Sequence, residues 1–406
     1  MSRRTVLAAL VGVLLLCVCV VRAEVFFHEE FNSLDGWVQS EHRSDYGKVK
    51  LSAGAMHVDA KKEQGLQLSE DAKFYAISTK LPTPVSNDGK NLVISFSVKH
   101  DQKLECGGAY LKFFSELDQK DFNGESPYWL MFGPDTCGAT NRLHIILNHD
   151  GENYLWKSNS MPAKDKATHV YTLEIAANNT YQLYMDGSYK KSGSLEEEWE
   201  IVAPKTIPDP DEQKPADWVD DSMMDDPEDT KPADWDNEPA TIVDPEAVKP
   251  EDWDDAEDGE WEAPQIPNPA YRGPWTARQI KNPAYKGVWE PKQIPNPKYV
   301  PMPNLYKVPA PLQYVGIDVW QVQGGSIFNN IILGDDLQEV LKLVQATYGA
   351  IAEKERQLIE AAAEKQKEEN AKATAAAKAK IAEEKDEVSA EETEAASPEG
   401  DDDEDL

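Results

Sequence analysis

Residues 266–300 read IPNPAYRGPWTARQIKNPAYKGVWEPKQIPNPKYV and state one short unit nearly three times. Asn268, Asn282 and Asn296 recur every 14 residues, each followed by proline, and Trp261, Trp275 and Trp289 keep the same period. A different set of three precedes it: IPDPDEQKPADW (207–218), DDPEDTKPADW (225–235) and IVDPEAVKPEDW (242–253). Repeats of this length are single supersecondary units that gain stability by stacking on neighbours. Each unit here offers one Trp, a Tyr or Ile and several prolines, enough for a local cluster but not for a wide core. Three copies of one kind followed by three of another predict a fold-back. The chain goes out along the first set and returns along the second, with its tip near Gly259-Glu260-Trp261. Proline stiffens such an arm by fixing φ and removing alternative conformers. A disordered acidic linker has no reason to hold Trp at a strict period. Residues 205–300 therefore read as a thin, stiff arm.

The flanks carry a different pattern. Residues 24–204 hold short alternating stretches such as NLVISFSVKH, AYLKFF, RLHIILN, VYTLEIA and TYQLYMDG, separated by turn signals at Asn87-Asp88-Gly89, Asp150-Gly151 and Asp186-Gly187. Many short antiparallel strands in a large unit predict an all-β sandwich. The segment LQYVGIDVWQVQGGSIFNNIILGD (312–335) is again β-patterned and too short to fold alone. It must complete the sheets begun before the arm, which makes the arm an insertion in one discontinuous domain, 24–204 and 301–360. From Asp335 the period turns helical, with Leu337, Val340, Leu341, Val344, Tyr348 and Ile351 on one face. Residues 361–406 are Ala, Lys and Glu, then acidic. Helix is expected first and no fixed structure over EETEAASPEGDDDEDL.

The formal net charge of -33 over 406 residues disfavours nucleic acid and anionic lipid, both of which need a basic face. It favours cations, calcium above all, which takes oxygen ligands. Arg3 and Arg4 precede an apolar run from Val6 to Val21 that ends at Ala23, the pattern of a secretory signal peptide over residues 1–23. The run is shorter than the roughly 20 apolar residues of a spanning helix, and no later segment is apolar enough to span. In the oxidising compartment this implies, Cys106 and Cys137 are expected to pair rather than stay as two free thiols, closing a loop of 31 residues.

Signal peptide, β-sandwich, three KP(A/E)DW repeats, three GxW…NPxY repeats and an acidic tail resemble the calreticulin/calnexin family over almost the whole chain. Three repeats of each kind and the lack of a spanning helix point to its soluble members. The resemblance implies a concanavalin/legume-lectin-like β-sandwich with an inserted proline-rich hairpin arm, a C-terminal helix and an acidic tail. It implies a calcium-binding lectin chaperone of the endoplasmic reticulum lumen, without enzymatic activity. Such a protein holds monoglucosylated N-glycans on unfolded, newly made glycoproteins and recruits a protein-disulfide-isomerase-family partner through its arm. A monomer with no membrane span is expected. The alternative is a calcium-buffering, polypeptide-binding chaperone with little glycan activity.

Carried over residue by residue, the resemblance makes Tyr110, Lys112, Tyr128, Asp135 and Asp318 glycan contacts, with Met131, Ile146 and Trp320 lining the site. These residue types suit sugar recognition, because planar hydrogen-bonding groups meet hydroxyls and apolar walls meet sugar C–H faces. A hydrolase would need two carboxylates flanking a cleft. Asp135 and Asp318 lie near the expected site, but the sequence holds no acid/base pair pattern. For the tight calcium ion the resemblance gives Glu30 and Asn329 as side-chain ligands and Lys62 and Gln64 as carbonyl donors. Here the family's amide and carboxylate are exchanged between positions 30 and 329, which leaves one charge and oxygens on both members. At the arm tip, Asp258, Glu260 and Trp261 match the isomerase-docking loop. Two departures concern the C-terminus. Lys365, Lys367, Lys372, Lys378, Lys380 and Lys385 dilute the acidic tail, which lowers its expected calcium capacity. The ending Asp403-Glu404-Asp405-Leu406 departs from Lys-Asp-Glu-Leu, so retention is expected but not assured, and escape to the cell surface stays open.

Overall fold

The computed structural model describes residues 23–254, 256 and 259–394, with side chains up to Lys378. Residues 1–22 of the signal peptide expected over 1–23, Asp258 and the terminal residues 395–406 lie outside the described residues. The chain divides into two compact units: Lys205–Lys298, and the segments on either side of it.

Strands are numbered β1–β22 along the chain, and the first helix, α1, is the single turn Leu195–Glu198. In the flanking unit two antiparallel sheets face each other. One runs β14 (Ser188–Ser194), β13 (Thr180–Met185), β12 (His169–Ile175), β6 (Leu92–His100), β22 (Ser326–Gly334), β4 (Gly65–Leu68), β3 (Val49–Ser52), with β1 (Val25–Glu29) also on β22. The other runs β11 (Glu152–Leu155), β10 (Thr140–His149), β9 (Leu130–Cys137), β7 (Cys106–Gly108), β21 (Leu312–Gln321), β5 (Lys73–Val85), β2 (Trp37–Gln39). In it β8 (Leu111–Phe114) pairs with both β9 and β21. The two strands that follow residue 298 thus sit inside the two sheets, β22 on β6 and β21 on β5. The core between the sheets is aromatic and aliphatic; Phe96 of β6 meets Phe132 of β9 edge to face, centroids 5.7 Å apart. The whole is an all-β, lectin-like sandwich.

NLVISFSVKH alternates apolar and polar residues, yet every residue of β6 is buried. Leu92, Ile94, Phe96 and Val98 face the core. Val93, on the other face, is covered by α2 (Leu337–Val344) through Leu337 and Val340. The polar alternates are buried with partners: Ser95 Oγ lies 2.7 Å from Thr172 Oγ1, and Ser97 donates to the Asn329 carbonyl. Helix α2 starts where Asp336 accepts from the Glu339 N–H at 3.0 Å, an N-cap. The helical pattern is not continuous. A π turn over Gln345–Gly349 separates α2 from α3 (Ala352–Glu394) and seats Tyr348 in a cluster with Val170 and Val344. Helix α3 enters the stretch 391–406 for which no structure is expected, because its alanine-rich sequence favours helix to the end.

Next to this cluster, His169 lies between two carboxylates, 2.9 Å from Asp186 and 2.8 Å from Asp165. Burial alone would lower its pKa, but the hydrogen bonds and charges of Asp186 and Asp165 outweigh burial and raise it. For both aspartates burial works the other way, and His169 still holds them below the ordinary value. A raised histidine pKa stabilises below the unfolded value of about 6.5 and loses that contribution as pH rises through the folded value. Lowered carboxylates stabilise above about 3.8 and lose it as pH falls through their folded values. The cluster is therefore strongest between about pH 4 and 6.5. Thermal melts from pH 4 to 9 should show a fall in Tm above about pH 6.5 that His169→Asn removes. An unchanged alkaline slope in the variant would refute the assignment.

In the unit of residues 205–298, three two-stranded sheets join first to last: β15 (Thr206–Pro208) with β20 (Gln293–Pro295), β16 (Met223–Asp225) with β19 (Gln279–Lys281), β17 (Thr241–Val243) with β18 (Gln265–Pro267). Isoleucines meet across two of them, Ile207 with Ile294 and Ile242 with Ile266. Each Asp-Pro or Asn-Pro turns the chain by the same device. Asp209, Asp226, Asp244, Asn268, Asn282 and Asn296 all accept from the N–H two residues on. The first-set tryptophans donate across the hairpin. Trp218, Trp235 and Trp253 bond the carbonyls of Gly287, Gly273 and Gly259. Those glycines have φ between +77° and +91°, which explains the Gly of every GxW.

Candidate functional site

The sheet holding β21 and β9 buries one face in the core. On the other face, directly opposed residues build rows across the strands. Ile146, Met131, Lys112 and Gly316 form one row, and Arg142, Asp135 and Gly108 another. His144 opposes Gly133, Asp318 opposes Ala76, and Trp320 opposes Phe74. All the expected glycan-contact and lining residues on these strands therefore share one face. Tyr110, between β7 and β8, and Tyr128, just before β9, border the same area.

Three glycines let neighbouring groups approach the middle of this surface closely. A Cβ on Gly108 would lie 2.3 Å from the Tyr110 ring, one on Gly133 2.6 Å from the Tyr110 Cα, and one on Gly316 2.8 Å from the Phe122 ring. The rings of Tyr110 and Phe122 lie where side chains of Gly108 and Gly316 would stand, and the Tyr110 backbone lies against Gly133. Lys112, Met131, Ile146 and Asp318 point away from the core yet are each at most 8% exposed, so the face is recessed, a trough. The disulfide Cys106–Cys137 closes one end, joining directly opposed residues of β7 and β9. Its loop of 31 residues corresponds to about 3–4 kcal/mol in the chain-entropy model.

The polar groups are held in place. Lys112, 5% exposed, donates to Asp318 Oδ2 at 2.7 Å and lies 5.1 Å from the centre of the Tyr128 ring. Asp135 Oδ2 is 3.1 Å from His144 Nε2. Burial, with the charges of Asp318 and Asp135 adding to it, drives the Tyr110 phenol far above its usual pKa. It stays a neutral hydroxyl that both donates and accepts. Burial raises Tyr128 likewise. Donors, acceptors and an apolar wall of Met131, Ile146 and Trp320 thus converge, as hydroxyl-rich ligands require. His144 is missing from the residues named on sequence. Its position two residues from Ile146 on an alternating strand is the one signal that could have found it. Tyr128 also lines a cavity of about 720 Å³, together with Trp129, Ile201, Leu305 and Val308.

The expected calcium residues meet on the opposite sheet. Strands β1 and β4 share one edge of β22: Glu29 pairs with Ile331, and Leu66 with Phe328. The end of β1 and the start of β4 thus meet at Asn329 and Asn330. Gly65 allows this approach, since a Cβ there would sit 2.3 Å from the Phe328 carbonyl oxygen. Glu30, Lys62 and Asn329 border one cavity of about 680 Å³. Gln64 does not line it, and its side chain donates to the Phe31 carbonyl. Among the described residues no hydrogen bond ends on the carbonyl oxygen of Lys62 or Gln64. Among them, too, no group of three or more His, Cys, Asp or Glu forms a cage. Open carbonyls, one carboxylate and an amide are oxygen donors of the kind calcium accepts. At the arm tip Glu260 is exposed and Trp261 half-buried, while Asp258 lies outside the described residues.

Sandwich, trough and inserted hairpin arm define a lectin-like β-sandwich protein that carries a repeat arm. The chain belongs to the calreticulin family, whose model matches residues 25–259 and 256–333. Calreticulin of Euglena gracilis is 52% identical over 351 residues, covering 86% of this chain and 87% of the relative. Calreticulin of Caenorhabditis elegans is 53% identical over 330 residues, 80% of this chain and 83% of the relative. The solved T. cruzi calreticulin globular domain superposes with a TM-score of 0.62 at 40% identity, covering 84% of this chain and 99% of that one. Family membership supports a lectin-chaperone role and calcium binding. Among the described residues no helix is long and apolar enough to cross a membrane.

Proposed function

We propose that the chain is a calcium-binding lectin chaperone of the endoplasmic reticulum lumen. In this reading the trough holds the monoglucosylated branch of an N-glycan on a newly made glycoprotein. The arm tip, through Glu260, Trp261 and Asp258, docks an isomerase of the disulfide-exchange class. The observation that carries the reading is the convergence of Tyr110, Lys112, Tyr128, Asp135 and Asp318 on one glycine-floored face, beside Met131, Ile146 and Trp320. Both carboxylates are engaged by basic partners, Asp318 by Lys112 and Asp135 by His144. That suits acceptors of sugar hydroxyls better than an acid/base pair, so the role proposed is binding without turnover. Calcium, where Glu30, Lys62, Gln64 and Asn329 hold it, supplies a charge that ties β1, β4 and β22 together.

Calorimetry of the full chain against a monoglucosylated oligomannose glycan and its glucose-free counterpart tests this. Saturable binding is expected for the first and at least about tenfold weaker binding for the second. Trp261→Ala should leave glycan binding intact and abolish co-purification of a disulfide isomerase. No glycan binding by the wild type would leave the calcium-buffering, polypeptide-binding alternative.

A further inference from the structure

Helix α3 is anchored by a charge. From Ala352 to Lys378 a single residue, Glu355, is buried, and it is 0% exposed. Its carboxylate accepts from the Thr168 N–H at 2.9 Å, from the Thr168 hydroxyl at 2.9 Å and from Lys99 Nζ at 3.0 Å. Lys99, on the helix-covered face of β6, is 3% exposed and also donates to the Met56 carbonyl at 2.7 Å. A third group faces the same ammonium. Glu63, 6% exposed, has Oε2 3.6 Å from Lys99 Nζ.

Glu63 is only half satisfied. Its Oε1 accepts from the N–H groups of Val58 and Asp59 at 2.7 and 2.6 Å. Its Oε2 is buried without a hydrogen-bond partner, and Glu63 lines the cavity shared with Glu30 and Asn329. Lys99 has a third N–H to give, and at 3.6 Å it falls short of a charge-assisted bond. A movement of roughly 0.8 Å would make that bond, and the segment that must move is the one carrying Lys62, Glu63 and Gln64. Two of those three residues offer the open carbonyls of the cation corner.

We propose that Glu63, Lys99 and Glu355 form a buried ion triad that couples cation binding at the Lys62–Gln64 carbonyls to the docking of helix α3. Fixing the carbonyls on either side of Glu63 fixes its carboxylate against Lys99, and Lys99 in turn holds Glu355. Such coupling is reciprocal: the cation strengthens the seat of the helix, and the seated helix strengthens cation binding by the same factor. The three residues are positioning residues, since none is itself among the ligands. The inference rests on the calcium reading of the Glu30 and Asn329 corner.

The test uses the full chain and calcium alone, at a free concentration that fills only the tightest class of sites. Trypsin cuts after Lys354 and Arg356, the two exposed neighbours of Glu355. In the wild type, calcium should slow this cleavage by about fivefold or more. Glu355→Gln should abolish the protection and weaken tight calcium binding by calorimetry by a similar factor. Glu63→Gln should do the same from the other end of the triad, so a folding defect in one variant does not end the test. Glu360→Gln, exposed on the same helix, should change neither readout. Tight calcium binding in the wild type with cleavage unaffected would overturn the coupling and leave the cation site standing. A tight calcium class that is missing, or that survives Glu30→Ala unchanged, would overturn the site itself and the coupling with it.

Discussion

Asp318→Ala is expected to abolish glycan binding and, with no sugar present, to destabilise the sandwich by about 3–5 kcal/mol. The two losses have one origin. Lys112 and Asp318 are both nearly buried and 2.7 Å apart. Removing the carboxylate leaves an ammonium whose remaining neighbours are the Gly124 carbonyl at 3.4 Å and the Tyr128 ring. A buried charge without its counter-ion is among the most damaging single lesions a fold can carry. Removing both charges is a different matter. Lys112→Met with Asp318→Leu should recover most of the stability, because well-packed apolar residues often replace a buried ion pair without loss. The double variant should still fail to bind sugar, because it has neither donor nor acceptor. Urea unfolding and calorimetry on the same three proteins separate stability from recognition. Wild-type glycan affinity in Asp318→Ala would remove the trough as the sugar site.

Gly133→Ala should be comparably damaging, through backbone strain and overpacking together. Gly133 has φ of +144°, where an L side chain is strained. Its Cβ would also lie 2.6 Å from the Tyr110 Cα, 2.8 Å from the Ala109 carbonyl and 2.9 Å from the Phe96 ring. Strain and overpacking at about 1–3 kcal/mol each give roughly 2–6 kcal/mol. The relaxed structure should push Tyr110 away from His144 and Asp135, so residual folded protein should bind glycan weakly. Gly138→Ala is the control: its φ is also positive, at +58°, but its Cβ would meet nothing within 4 Å. Equal effects from both substitutions would mean that strain, and not the fit of Tyr110, sets the loss.

What can be read from the sequence follows the physics of each element. A fixed Trp period and repeated Asn-Pro pairs are local signals, and so is period-2 alternation. They reach the arm and the strands without knowledge of tertiary partners. The burial of both faces of β6 (Leu92–His100) depends on α2, which starts only at Leu337, and no local pattern encodes it. The same holds for Lys99 and Glu355, 256 residues apart, whose residue types alone suggest solvated surface. Family resemblance reaches the trough residues but not the floor under them. Gly108, Gly133 and Gly316 look like breaks in strand patterns, and their use emerges only when the rings above them are in place. His144 escapes a reading of the sequence because a histidine on an alternating strand is ordinary until its partner, here Asp135, is known.

The hairpin of residues 205–298 closes each of its paired steps within itself. Every first-set tryptophan gives its one indole N–H to a glycine of the returning strand, and every Asp-Pro or Asn-Pro satisfies its own turn. Stability in such a ladder is close to a sum over rungs and nearest neighbours. Its reach is therefore quantised. A chain that gained one outgoing unit without a returning one would leave an indole N–H unmatched and shift every later rung out of register. Length can change only by adding or deleting an outgoing and a returning unit together. Gene-level duplication of matched pairs would thus tune the length of the hairpin itself without any compensating substitution in the rungs already present.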